Sequence, residues 1–174
     1  EISESARLIG AVNTVVNDNG RLFGENTDGK GFMMSLESSG VDIRGKRVVV
    51  FGAGGASRAI CVEMALAGVG RLTIVNRPHG RKLGDALVEI LRTNTEADVA
   101  YEDWTGPYAV PADTDVVVNA TSVGLYPDVD AIPNIDLDSI TREMFVQDVI
   151  PNPTESALIR EMRRRGIPCA TGAG

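Results

Sequence analysis

The chain has 174 residues, 43% hydrophobic and 24% charged, and its 24 acidic against 17 basic side chains give a formal net charge of −7. That balance argues against nucleic acid or an anionic membrane as partner, because both select a basic face. No apolar run approaches the ~20 residues of a bilayer span and no basic-then-apolar leader opens the sequence, so a cytoplasmic location is expected. Cys61 and Cys169 are far apart and read as reduced thiols of such a compartment.

In chain order, GAVNTVV (10–16) and LFGEN (22–26) flank an Asn-Gly pair and predict a hairpin. A helix is expected from Thr27 to Ser39, stopped by Gly40, with Asn26 or Thr27 as its cap. Residues 1–43 carry too little apolar mass to stand alone and read as the remnant of a substrate domain plus a connecting helix. With Glu1 first and ATGAG last, the sequence reads as a piece of a longer protein.

Residues 44–174 read as a second domain. The runs KRVVVF (46–51), RLTIVN (71–76), ADVAY (97–101), TDVVVNA (114–120), MFVQDVI (144–150) and GIPCAT (166–171) predict strands. Helices are expected over 56–67, from Pro78 to about residue 93, and over 154–165. Alternating strands and helices joined by short crossovers give an α/β fold with a doubly wound, parallel, Rossmann-type sheet.

VVVFGAGGASRAI (48–60) places three glycines in four positions where a strand hands over to a helix. Bare amides at a helix N-terminus suit a diphosphate, which needs close backbone approach. Gly52, Ala53, Gly54, Gly55, Ala56 and Ser57 form this candidate site, with the Ser57 hydroxyl as a further donor and the Arg58 charge beside it. After the second strand comes Asn76-Arg77-Pro78-His79-Gly80-Arg81, with no carboxylate to accept from a ribose 2′-hydroxyl. Arg77 and Arg81 could clamp a 2′-phosphate with Asn76 on the ribose, so NADP is expected over NAD. His79, the one histidine, belongs to that adenosine end rather than to catalysis. Arg163, Arg164 and Arg165 read as a solvated helix end, Trp104 and the tyrosines carry no functional signal, and no metal is expected.

GAVNT (10–14), GENTDGKGF (24–32), GAGGASRA (52–59), NR (76–77), NATSVGL (119–125) and DVIPNPTES (148–156) together resemble the shikimate dehydrogenase family, including its quinate/shikimate branch. The resemblance implies reversible reduction of 3-dehydroshikimate to shikimate with NADPH, in the route to aromatic amino acids. It assigns Asn13 and Thr27 to the substrate and Asp28 to the acidic half of a Lys–Asp catalytic pair. It assigns Thr121, Ser122, Val123, Gly124, Val149 and Gly172 to the cofactor. The family's catalytic lysine and substrate serines have no counterpart in this sequence, and Lys30 points to a different helix face from Asp28. Pro151 stands where the family carries a substrate-touching tyrosine. The alternatives are a quinate/shikimate enzyme using NAD or NADP, a relative acting on another polyhydroxy cyclohexene or an aminated analogue, and a dinucleotide-binding module without catalysis. Asn13 and Asp28 speak against the last. A homodimer is compatible with all of them.

Overall fold

The computed structural model describes residues 1–172. It opens with helix α1 (Glu4–Ile9), hairpin strands β1 (Thr14–Asp18) and β2 (Arg21–Glu25), and helix α2 (Asp28–Ser38). Then follow β3 (Arg47–Phe51), α3 (Gly55–Leu66), β4 (Arg71–Asn76), α4 (Arg81–Asn94) and β5 (Asp98–Asp103). The rest comprises β6 (Tyr108–Ala109), β7 (Val116–Asn119), β8 (Ile135–Asp136), β9 (Phe145–Asp148), α5 (Ala157–Arg164) and β10 (Cys169–Ala170). Six strands form one parallel sheet in the order β10-β9-β7-β3-β4-β5. The chain order reverses between β3 and β7, so a crevice opens at their carboxyl ends, where ligands of such sheets bind.

The continuous apolar run of β3 follows from burial on both faces. Val48 and Val50 enter a core with Phe32 and Leu36 of α2, Ile60 and Met64 of α3, and Leu87 and Leu91 of α4. Val49 and Phe51 enter a second core with Trp104, Met144, Leu158 and Met162. Strand spacing of two thus feeds two separate cores. Cys61 and Cys169 are both free thiols. Among the described residues no helix is long and apolar enough to cross a membrane.

The Asn-Gly hairpin forms as expected, with Asn19 at φ 50° and Gly20 at φ 92°, the two positive values that a tight primed turn requires. It leaves Val15, Val16 and Leu22 exposed.

Several boundaries differ from expectation. α1 was not foreseen: six residues carry little periodicity, and the helix depends on the Ser3 hydroxyl accepting from Ala6 N at 3.1 Å. Pro78–Gly80 form a separate 3-10 turn before α4. α5 begins at Ala157 rather than Thr154, because Ser156 caps it by accepting from Ile159 N. The final strand shrinks to two residues, since only Cys169 and Ala170 find partners on β9. No helix covers the crossover from β5 to β7. β6 of that crossover pairs with β8, which lies between β7 and β9 in sequence, and the rings of Trp104 and Tyr108 lie 5.0 and 5.4 Å from that of Phe51, so aromatic packing stands in place of a helix.

The N-terminal segment is fastened to the sheet domain where α2 crosses α3. A Cβ on Gly29 would fall 2.4 Å from the Ala59 carbonyl oxygen, so the two backbones meet only because residue 29 has no side chain. Gly29→Ala should therefore lower stability by about 1–3 kcal/mol in urea melts through overpacking. Gly31→Ala, on the same helix with open space around it, should be neutral or slightly stabilising.

Candidate functional site

Asn13 and Thr27 bring the hairpin and α2 together. The Asn13 side-chain oxygen accepts from Thr27 N at 3.0 Å, from Thr27 Oγ1 at 3.2 Å and from Thr14 Oγ1 at 3.1 Å. Its amide nitrogen donates to Asp28 Oδ1 at 2.9 Å. Asp28 sits exposed in the first turn of α2, where the helix dipole favours a carboxylate. Thr27 makes no cap bond of its own; the Asn26 oxygen accepts instead from Asp28 N at 3.2 Å. Lys30 Nζ lies 2.8 Å from Glu25, and this pairing holds the Glu25 carboxyl below the usual range. Lys30 is thus committed to the hairpin, away from Asp28.

Thr27 and Asp28 line a cavity of about 350 Å³ with Phe32, Ser35, Ala56, Ile60, Gln147, Val149 and Gly172. Beside it runs a cleft of about 460 Å³ over the carboxyl ends of β3, β4 and β7. Its floor is Gly52, Ala53, Gly54, Gly55 and Ala56; one end carries Asn76, Arg77, His79 and Trp104, and the other Thr121, Ser122, Val123, Val149, Ile150 and Pro151. Ala56 and Val149 belong to both linings, so the two spaces share a wall.

The glycines divide their tasks. Gly52 has φ +101° and a Cβ there would fall 2.8 Å from the Ala120 carbonyl oxygen, so the strand must end on glycine to pass β7. Gly54 and Gly55 face open space and are exposed, leaving the first amides of α3 accessible.

Buried polar groups shape the opposite wall. The Asn119 oxygen accepts from Thr121 N and from Thr121 Oγ1, the latter at 2.7 Å, and Val123 N donates back to Thr121 Oγ1. The Asn119 amide donates to Asp148 Oδ1 at 3.1 Å, and Asp148 also accepts from Ile150 N and, at 2.6 Å, from Ser156 Oγ. Burial pushes the Asp148 carboxyl above the usual range, and those hydrogen bonds oppose the rise.

Five residues expected at the cofactor lie outside the cleft lining in this arrangement. The Ser57 hydroxyl is fully buried and donates to the Gly52 carbonyl at 2.7 Å, so it braces the turn instead of facing the cleft. Arg58 donates to the Leu8 carbonyl at 2.9 Å and holds α1. Arg81 turns onto β5, 2.6 Å from Asp103 and over the Tyr101 ring, and stands outside the cleft lining. Gly124, at φ +97°, is a turn residue beside Ala131 and also lies outside that lining. Gly172 lines the Asp28 cavity, pressed on Val149, whose carbonyl carbon would be 2.6 Å from a Cβ there.

Ser35, Gln147, Trp104 and Leu125 line these spaces without having been foreseen. Residues 28, 32 and 35 share one face of α2, a spacing that marks Ser35. Gln147 interrupts the apolar run of β9, and its amide donates to Ser35 Oγ at 2.9 Å. Trp104 follows the strand beside Asn76 and donates from Nε1 to the Asn134 carbonyl.

No family model matches the sequence. A shikimate dehydrogenase (NADP(+)) from Symbiobacterium thermophilum is 41% identical over 173 residues, 99% of this chain and 59% of that protein. Shikimate 5-dehydrogenase from Listeria monocytogenes, solved with shikimate and NAD, superposes with a TM-score of 0.88 at 34% identity over 99% of this chain and 61% of that one. Over nearly its whole length the chain is homologous to shikimate dehydrogenases. A solved structure that carries another activity in its name is also similar to this chain. Ligand-free 5-ketofructose reductase of Gluconobacter sp. strain CHM43 has a TM-score of 0.92 and 45% identity over 98% of this chain and 60% of that one. The chain spans about three fifths of the length of the relatives it matches.

Two stability measurements test the buried network. Ser156→Ala removes both an Asp148 donor and the α5 cap, and should cost about 1–3 kcal/mol in urea melts. The raised carboxyl of Asp148 binds its proton more tightly in the folded state, so its contribution is fully present below the unfolded pKa and is lost as pH rises through the folded value. The stability difference between Asp148→Asn and wild type should therefore shift toward the variant as pH climbs from about 4.

Proposed function

We propose that this chain forms the cofactor side and part of the substrate side of an NADP(H)-dependent oxidoreductase interconverting 3-dehydroshikimate and shikimate, with residues 1–43 as a strip of the substrate domain. The shared wall of Ala56 and Val149 carries this reading, because it sets the Asp28 carboxylate in a cavity adjoining the glycine turn. The site fits a dinucleotide: the accessible amides at Gly54 and Gly55 suit a diphosphate, and Asn76, Arg77 and His79 suit the adenosine end. Thr121, Ser122 and Val123 suit the nicotinamide side. NADP(+) in the name of the Symbiobacterium relative supports the phosphorylated cofactor.

When bound, the nicotinamide supplies or accepts a hydride at the carbon that carries the substrate oxygen. That oxygen must gain or lose a proton, and a carboxylate beside a cationic donor keeps the donor charged and oriented. Asn13 holds the Asp28 carboxylate for this role while Thr27 lines the same cavity. Since Lys30 is engaged by Glu25, we assign the amine to the further length that the relatives possess. A cytoplasmic setting and a role in aromatic biosynthesis accord with the two free thiols and the shikimate relatives.

A second reading has its own support: Pro151 stands in the cleft wall where the family tyrosine was expected, and the 5-ketofructose reductase shares 45% identity. It assigns reduction of a carbonyl on a keto sugar or related polyol. Steady-state rates of the full-length protein with shikimate, quinate and 5-ketofructose, each with both cofactors, separate the two. The fastest turnover is expected with shikimate and NADP(+), and faster turnover of 5-ketofructose would move the assignment to the second reading. Asp28→Asn should lower kcat by about 10²–10⁴-fold while cofactor affinity holds. Arg77→Ala should weaken NADPH binding by about 1–3 kcal/mol and leave NADH nearly unchanged in fluorescence titrations.

A further inference from the structure

A carboxylate that chain order conceals lies next to the adenosine end of the cleft, between the lining residues Asn76 and Trp104 and outside the lining itself. Asp103 ends β5 directly opposite Asn76, the last residue of β4. Asp103 Oδ2 accepts from Arg81 Nη2 at 2.6 Å, and Asp85 Oδ1 lies 3.8 Å from Nη1 of the same guanidinium. The guanidinium carbon stands 5.0 Å from the centre of the Tyr101 ring, and that ring is seated on Gly84, where a Cβ would fall 2.0 Å away. Arg81 is thus drawn off the turn and onto β5. The turn itself presses on Asn76, since a Cβ on Gly80 would lie 2.3 Å from Asn76 Nδ2. Arg77 remains on the cleft lining.

The charges around Arg81 do not balance. Two carboxylates face one guanidinium, so an anion arriving beside Asn76 meets net negative charge from this cluster and competes with Asp103 for Arg81. A 2′-hydroxyl bears no charge and is indifferent to that competition. Exposed ion pairs of this kind are individually weak, so a phosphate can draw Arg81 away, at an energetic cost that an unphosphorylated ribose never incurs.

We propose that Asp103 is a positioning residue that sets the preference between 2′-phosphorylated and unphosphorylated nicotinamide dinucleotides, by holding Arg81 on β5 beside the 2′ position. This rests on the reading of Asn76 and Arg77 as the 2′ end of a dinucleotide site. Asp103 therefore lowers the discrimination in favour of NADP(H) that Arg77 and Arg81 together would give.

Dissociation constants for NADPH and NADH, measured by fluorescence titration of the full-length protein, test the proposal. Asp103→Asn should tighten NADPH roughly three- to ten-fold and change NADH by less than about two-fold. Arg81→Ala on top of Asp103→Asn should abolish the gain, and Asp103→Glu should restore the wild-type ratio. Loss of packing alone would weaken both cofactors together and leave their ratio fixed. An unchanged or lowered preference for NADPH in Asp103→Asn overturns the proposal. Equal loss of both cofactors in Arg77→Ala would instead remove the 2′ assignment itself, and this inference with it.

Discussion

The placement of Asp28 beside the glycine turn depends on the contact between the backbones of α2 and α3 at Gly29. With the Ala59 carbonyl oxygen only 2.4 Å from where a Cβ would stand, α2 settles as deep on the sheet domain as two helices can. The first turn of α2 carries Asp28, and the first turn of α3 carries the exposed glycine amides. Close packing of helices is governed by the smallest side chains at the crossing, so one hydrogen atom at residue 29 brings an acidic group beside a dinucleotide-type turn. A bulkier residue would lift the carboxylate away and widen the gap that Ala56 and Val149 now close.

The opposite side of the crevice is ordered by a different physics. Hydrogen bonds centred on two buried side chains hold the segments after β7 and β9. The buried Asn119 and Asp148 tie residues 121, 123, 150 and 156 through hydrogen bonds that water does not contest. Such a network specifies one loop conformation where packing would leave several. Pro151 stands on this braced wall, so its missing hydroxyl is not made good by a neighbour sliding into place.

The sheet strands and the glycine turn were legible in the sequence because their signals are local. A β-branched run, an Asn-Gly pair and a glycine cluster each dictate backbone geometry within a few residues. Direction of long side chains was not legible. Arg58 reaches a carbonyl fifty positions earlier, and Arg81 finds Asp103 across a strand pairing that joins residues far apart in sequence. Ser57 shows the same limit at short range, since helix entry fixes its backbone while burial decides which acceptor its hydroxyl meets. Gln147 was hidden for the opposite reason: a polar residue inside an apolar strand looks like noise until the sheet turns it toward α2.

The amide of Asn13 has a polarity worth following to its end. Three donors converge on its oxygen, from Thr14 and from both groups of Thr27, so a rotation exchanging oxygen and nitrogen would set NH₂ against NH and OH on one side and oxygen against carboxylate on the other. The orientation is thus locked, and with it the handedness of the carboxylate's surroundings: Oδ1 of Asp28 is engaged by the amide, which makes the two oxygens inequivalent. Two chemically identical atoms become distinguishable because the amide anchors one of them, and the hairpin becomes the element that breaks their symmetry.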